Sequence, residues 1–124
     1  MDQRTTGMTL EEVRRLLEAD VIAGSDLSQV DVTMACGADL MSDVLAHIKA
    51  GALLLTGLTN PQVVRTAEMA GVKALCFVRG KRPSSETVSL AASNGIPLMT
   101  TELPMFESCG RLYAAGLPGC TNGG

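Results

Sequence analysis

Three cationic residues stand close together in the segment CFVRGKRPSS, residues 76–85: Arg79, Lys81 and Arg82. They follow an apolar run and precede two serines, in a chain whose formal net charge is −3. Guanidinium and ammonium groups bind phosphate and carboxylate oxygens, and Gly80 allows the backbone to turn or to approach a ligand closely. The segment therefore predicts an anion site, for example for nucleotide phosphates, or else a solvated basic loop that aids solubility or a contact with a partner.

Two further segments carry hydroxyl groups at equivalent positions, between an apolar run and an amphipathic stretch: TGLTNP (56–61) and TTELP (100–104). In an open α/β sheet, ligands bind beyond the carboxyl ends of the strands, beside helix N-termini whose backbone N–H groups attract anions. The predicted ligand site therefore combines residues of all three segments: Thr56, Gly57, Thr59, Asn60, Arg79, Gly80, Lys81, Ser84, Ser85, Thr100 and Thr101.

The sequence contains no known motif for transferring a phosphate or hydrolysing a substrate. Leu75 stands where a P-loop requires its first glycine, and Arg82 follows the lysine where serine or threonine is required. Neither G-x-G-x-x-G nor G-x-S-x-G occurs. Glu102 and Glu107 are carboxylates near the third segment, but nothing pairs them as acid and base. We therefore predict no catalytic residues and no enzyme activity.

The four cysteines, at positions 36, 76, 109 and 120, form no C-x-x-C pair. The single histidine, His47, does not complete a usual Cys/His metal site with nearby cysteines. We predict reduced thiols that pack as small hydrophobic side chains, with a cluster or disulfide of distant cysteines as the alternative. The sequence requires no cofactor and predicts no metal ligands.

The composition indicates one folded domain of 124 residues, with 46% hydrophobic and 19% charged residues. Aromatic residues make up only 2%, which argues against single-stranded nucleic acid, and the acidic net charge argues against duplex binding. The apolar stretch AGALLLTGL (50–58) is about half of the ~20 residues of a spanning helix. The N-terminus has no apolar signal region. We predict a cytoplasmic protein that binds neither nucleic acid nor membrane.

The second half of the chain repeats one pattern three times: a short apolar run, a polar junction, an amphipathic stretch and a glycine. The runs at 53–55 and 74–78 are continuously apolar, which is typical of strands buried on both faces of a parallel sheet. Alternating strands and helices require right-handed crossovers. The predicted fold is a three-layer α/β domain with a mainly parallel sheet and βα repeats.

The first half is less regular. We predict a helix over 10–19 and short strands at 20–24 and 30–35. Residues 1–8 are predicted to be flexible, 9–118 to form the domain and 119–124 to be a disordered tail. The predicted helix N-caps are Thr9 with Glu12 in a capping box, Asp39, Asn60 before Pro61, Ser84 or Ser85, and Thr100 or Thr101.

The order of these segments resembles the DRTGG domain family. The likeness is carried by VDVTMACGADLMSDVLA (30–46), AGALLLTGLTNP and AGVKALCFVRGKRP, and it continues through NGIPLMTT and FESCGRLYAAGL (106–117). It covers about residues 9–118, although Ala35-Cys36-Gly37 stands where the family's Thr-Gly-Gly is expected. DRTGG domains are accessory α/β modules of phosphotransacetylase-like proteins and CBS-containing pyrophosphatases, and they resemble the N-terminal domain of HPr kinase/phosphorylase.

This resemblance implies regulation or assembly rather than catalysis, and it implies a homodimer. The chain also resembles short stand-alone members with similar VRGK and CGxLYxxGL segments, which look like those encoded beside iron-hydrogenase subunits in anaerobes. The first hypothesis is therefore a non-catalytic regulatory module, dimeric, that docks on a metabolic enzyme complex. The second is a sensor that binds an adenine nucleotide or another anion at the strand-end loops. The third is a thiol or iron–sulfur scaffold that uses Cys36, Cys76 and Cys109.

Overall fold

The computed structural model describes residues 7–24 and 26–120, which contain two sheets. The strands are β1 (Met8–Thr9), β2 (Asp20–Ala23), β3 (Asp31–Val32), β4 (Met34–Gly37), β5 (Ala52–Thr56), β6 (Ala74–Phe77) and β7 (Leu98–Thr100). The main sheet has the order β2-β7-β6-β5-β4. Strands β4 to β7 are parallel, β2 is antiparallel to β7, and β1 pairs with β3 in a separate antiparallel ribbon.

Helices cover both faces of the main sheet. They are α1 (Leu10–Leu17), α2 (Met41–His47), α3 (Pro61–Ala70), α4 (Ser85–Ser93) and α5 (Met105–Ala114), with a 3-10 turn at Leu27–Gln29. Helices α1 and α5 pack on one face and α2, α3 and α4 on the other. The predicted three-layer α/β fold with a mainly parallel sheet is therefore confirmed.

The strand β5 shows why the predicted apolar runs are continuous. Leu53 and Leu55 face the α1–α5 layer, whereas Leu54 faces the layer of α2, α3 and α4. All three side chains are fully buried. Because successive strand residues point to opposite faces, a strand covered by helices on both faces needs apolar residues at every position.

Two predicted elements have different limits in the structure. The first helix ends at Leu17 instead of Ala19, because Glu18 adopts a left-handed conformation with φ 52° and its N–H bonds back into the helix. The predicted strand over 30–35 is two strands, β3 and β4, on either side of Thr33. An alternating pattern in the sequence does not show where a chain leaves one sheet and enters another.

The predicted domain limits fall partly outside the described residues. Residues 1–6 and 121–124, which belong to the predicted flexible N-terminus and tail, are among those not described. Met8 pairs with Val32 in β3, and Gly119 forms a parallel bridge with Ala35 in β4. Over the described ranges, no helix has the length and apolar character needed to cross a membrane.

The capping predictions divide into two groups. Thr9 and Glu12 form the predicted capping box, and Asn60 and Ser84 accept hydrogen bonds from the first turns of α3 and α4. The prediction for Asp39 is wrong, because Leu40 occupies the N-cap position of α2 without a side-chain bond. The prediction for Thr100 or Thr101 is also wrong, since α5 begins after Pro104.

Candidate functional site

The three predicted segments begin at or just after the last residues of β5, β6 and β7, so the parallel sheet brings them to one edge. Backbone hydrogen bonds then join them. The Val78 N–H donates to the Thr56 carbonyl oxygen at 3.1 Å, and the Gly80 N–H donates to the Thr101 carbonyl oxygen at 2.7 Å. The Thr87 hydroxyl donates to the Thr59 carbonyl oxygen at 2.9 Å. The sequence prediction therefore places these loops correctly relative to one another.

The basic segment contains an unusual backbone conformation. Arg79 has φ 60° and Gly80 has φ 70°, so two consecutive residues are left-handed. Besides Glu18, Arg79 is the one non-glycine residue with positive φ in the described ranges. This conformation costs an L-residue about 1–2 kcal/mol. Residues held in such strained conformations occur preferentially at functional sites.

The loop satisfies its backbone N–H groups internally. The Arg79 N–H donates to the Leu103 carbonyl oxygen at 2.9 Å, and the Lys81 N–H donates to the Val78 carbonyl oxygen at 3.2 Å. The Gly80 N–H is bound to Thr101, as described above. These three amides are therefore not free to cradle an anion.

The three cations of the loop have different partners. Arg82 forms an ion pair with Asp20 at 3.4 Å. Arg79 and Lys81 are exposed, and neither forms an ion pair with any other described residue. They are therefore the two cations that the loop can direct toward an anion.

A carboxylate limits the site on one side. An ideal Cβ at position 80 would lie 2.8 Å from an oxygen of Glu102, and this contact and the positive φ both favour glycine there. The negative charge of Glu102 therefore lies against the backbone between Arg79 and Lys81, and it repels an anion that approaches from that side.

Asp39 holds the loop after β5, a role that differs from the helix N-cap predicted from the sequence. Its Oδ1 accepts hydrogen bonds from the Thr56 hydroxyl at 3.0 Å and from the Gly57 N–H at 2.8 Å. The Thr56 oxygen in turn accepts a bond from the Leu58 N–H at 3.2 Å. Asp39 lies two residues beyond β4. Because β4 is parallel to β5, its position at the same edge was available as a signal.

Thr100 and Thr101, predicted as site residues, are buried and bind the protein itself. The Thr100 hydroxyl donates to the Lys81 carbonyl oxygen at 2.7 Å. The Thr101 hydroxyl donates to the Leu17 carbonyl oxygen at 2.6 Å and accepts from the Leu103 N–H at 3.2 Å. Their side chains therefore support the basic loop instead of facing a ligand.

Asn60 and Ser84 are also occupied, as helix caps. The Asn60 Oδ1 accepts from the Val63 N–H at 3.3 Å, and the Ser84 hydroxyl accepts from the Thr87 N–H at 3.3 Å. Ser85 begins α4 and is exposed. Of the predicted site residues, the side chains left for a ligand at this edge are therefore those of the half-buried Thr59 and of Arg79, Lys81 and Ser85, beside the positive end of the α4 dipole.

We expect Asp39→Ala to loosen the loop after β5. It removes two hydrogen bonds to a charged acceptor, so the free energy of unfolding should fall by about 1.5 kcal/mol in urea denaturation. Asp39→Asn, which keeps a carbonyl oxygen, should recover most of this loss. The control is Asp31→Ala at an exposed carboxylate of β3, expected to change stability by less than about 0.5 kcal/mol. Equal losses for both alanine variants would contradict the role of Asp39.

Two grooves lie away from this edge. One of about 690 Å³ is lined by the 3-10 turn and the segment after α4, at the opposite edge of the sheet. The other, of about 320 Å³, lies between α5 and the segment after it. Over the residues that the structure covers, no three His, Cys, Asp or Glu side chains are placed to hold a metal ion.

The fold and the loop arrangement define a small α/β module with a candidate ligand edge. The family model for the DRTGG domain matches residues 12–115. The chain therefore belongs to the DRTGG domain family. The comparison with curated proteins finds no match.

A solved structure has a similar fold. It contains the CBS and DRTGG domains of the regulatory region of Clostridium perfringens pyrophosphatase, in complex with the activator diadenosine tetraphosphate. The TM-score is 0.71 at 22% identity, over 89% of this chain and 47% of that chain. The chain thus spans about half the length of this relative, and the likeness supports the α/β fold.

Proposed function

We propose that this protein is a non-catalytic regulatory module whose effector is an adenine nucleotide bound at the carboxyl edge of the sheet. The observation that carries the proposal is the strained conformation of Arg79, which is exposed at the edge where α/β folds bind ligands. Phosphate oxygens would contact Arg79 and Lys81. Ser85 and the first turn of α4 would add a hydroxyl and the positive end of a helix dipole.

Membership of the DRTGG family supports the regulatory part of the proposal. In the similar pyrophosphatase structure, the activator of the regulatory region is a polyphosphate of adenosine. Adenine nucleotides are therefore the anions to test first. The chain has no P-loop, so the proposed site binds a phosphate without a motif for transferring it.

Isothermal titration calorimetry tests this binding with AMP, ADP, ATP and diadenosine tetraphosphate. We expect saturable heat with at least one of them, and we expect the affinity to fall as salt rises because the two cations are exposed. No heat with any of the four would contradict the proposed effector.

We also propose that the module is a homodimer that associates through α5. Phe106 and Tyr113 are two of the three aromatic residues of the chain, and their side chains are 86% and 74% exposed. They stand seven residues apart on α5 and line the groove of about 320 Å³ together with Leu112 and Leu117. One patch thus offers protruding rings and an apolar groove, which is the self-complementarity that a two-fold interface requires.

Sedimentation velocity tests the dimer. We expect the wild type to sediment as a dimer and Phe106→Ser with Tyr113→Ser to sediment as a monomer with an unchanged circular dichroism spectrum. Met69→Ser is the control, because Met69 is 67% exposed on α3. A monomeric wild type, or a dimer that survives the double substitution, would contradict this interface.

The regulated partner in this proposal is a metabolic enzyme complex, such as one that contains an iron hydrogenase. Its support is the resemblance to short family members encoded beside such subunits. The scaffold hypothesis gains no such support, because Cys76 is fully buried in β6.

A further inference from the structure

Two of the four cysteines lie next to each other at the outer edge of β4. The segment after α5 runs along this edge: the Ala35 N–H donates to the Pro118 carbonyl oxygen at 2.9 Å, and Ala35 forms a parallel bridge with Gly119. The next residues in register are Cys36 and Cys120. Neighbouring strands lie about 4.8 Å apart, within the Cα separation of about 4.4–6.8 Å that a disulfide spans.

The other cysteines are less suited to pair with Cys36. A Cβ at Gly37 would lie 2.8 Å from the Cys109 sulfur, so Gly37 faces α5 and Cys109. Successive strand residues point to opposite faces, so Cys36 points away from that helix. Cys76 is fully buried in the core. Cys120 is thus the cysteine whose backbone register matches that of Cys36.

The pKa of Cys36 is also consistent with Cys120 as its neighbour. Burial and then the adjacent Cys120 thiol raise the pKa of Cys36 to about 11, with smaller contributions from Cys109 and Asp43. The segment that carries Cys120 is also anchored, because Leu117 is 2% exposed and its N–H donates to the Leu112 carbonyl oxygen at 3.0 Å. Both thiols are therefore held at the edge of β4.

We propose that Cys36 and Cys120 form a reversible disulfide that fastens the C-terminal segment to β4. The oxidant is a small-molecule disulfide. The Cys120 thiolate attacks one of its sulfurs and releases one thiolate, which leaves a mixed disulfide on Cys120. The Cys36 thiolate then attacks the Cys120 sulfur, forms the protein S–S bond and releases the second thiolate. The two cysteine protons end on the two released thiols, so both cysteines are oxidised and one disulfide is reduced.

The protein disulfide has two structural consequences. It joins positions far apart in the chain, and so it reduces the conformational freedom of the unfolded state. It also fixes the segment that covers the edge of β4, the strand that leads to Asp39. We therefore expect the oxidised protein to melt on the order of 10 °C higher than the reduced protein.

The test treats the full-length protein with oxidised glutathione, blocks free thiols with a maleimide and maps the peptides by mass spectrometry without reduction. We expect a Cys36–Cys120 peptide pair in the wild type and in Cys109→Ser, and we expect dithiothreitol to remove it. Cys36→Ser should stop at the mixed disulfide on Cys120. The rate at which the mixed disulfide converts to the protein disulfide should rise about tenfold per pH unit between pH 7 and 9, because Cys36 must ionise before it attacks.

Two outcomes would overturn the proposal. One is a cross-linked peptide that joins Cys36 to Cys109 instead of Cys120. The other is a wild type that carries only mixed disulfides after prolonged treatment at pH 9. Circular dichroism of each serine variant verifies that a missing cross-link does not come from a misfolded chain.

Discussion

Replacing Arg79 and Lys81 together by alanine is expected to abolish the rise in melting temperature that an adenine nucleotide produces. At a nucleotide concentration of about one hundred times Kd, binding should stabilise the wild type by about 2.7 kcal/mol. For a domain of this size, that corresponds to an increase of about 10 °C. The double variant should show none of it, because Arg79 and Lys81 are the two cations of the loop without an ion-pair partner in the described ranges.

Two further variants distinguish the loss of a binding site at the basic loop from a general effect of the protein's net charge. Lys49→Ala with Lys73→Ala removes the same charge at the opposite edge of the sheet, where Lys49 and Lys73 precede β5 and β6. This control should keep the full temperature increase. Glu102→Gln removes the repulsive carboxylate beside Gly80 and should tighten binding. Equal losses in the loop variant and the control would show that the loop is not the site.

Leu54→Ala is expected to destabilise the fold strongly. Leu54 lies in β5, an inner strand of the main sheet, and is fully buried beneath α2, α3 and α4. Removing a buried leucine side chain costs about 2–5 kcal/mol, a large part of the about 5–15 kcal/mol that stabilises a typical domain. Urea denaturation measures the loss.

The matched control is Leu45→Ala on α2, where the leucine is 50% exposed. The expected change is less than about 0.5 kcal/mol. If Leu54→Ala cost no more stability than Leu45→Ala, β5 would not be a strand that is buried on both faces.

The features that the sequence predicted correctly depend on nearby residues. The apolar run of β5 and the Asn60-Pro61 start of α3 carry their signals within a few positions, and the structure confirms both. The common edge of the three loops also followed, because parallel strands end on the same side. The order of the strands in the sheet, together with the helices that cover both of its faces, then determines where each loop lies.

The missed features depend on partners far away in the chain. Asp39 has the side chain of an N-cap, but it binds Thr56 and Gly57, which are 17 and 18 residues away. Thr101 binds the Leu17 carbonyl oxygen across 84 residues. A hydroxyl or carboxylate can satisfy a helix end or a distant loop equally well. Tertiary contacts select between them, so the residue type alone does not predict the outcome.

The central claim is that an adenine nucleotide binds at the carboxyl edge of the sheet. An NMR titration of the ¹⁵N-labelled protein with ATP and with diadenosine tetraphosphate tests it most directly, because each backbone amide reports its own surroundings. We expect saturable shifts centred on Gly57, Gly80 and Ser85. Shifts confined to the groove at the opposite edge, around Gln29 and Gly95, or no shifts with either nucleotide, would contradict it.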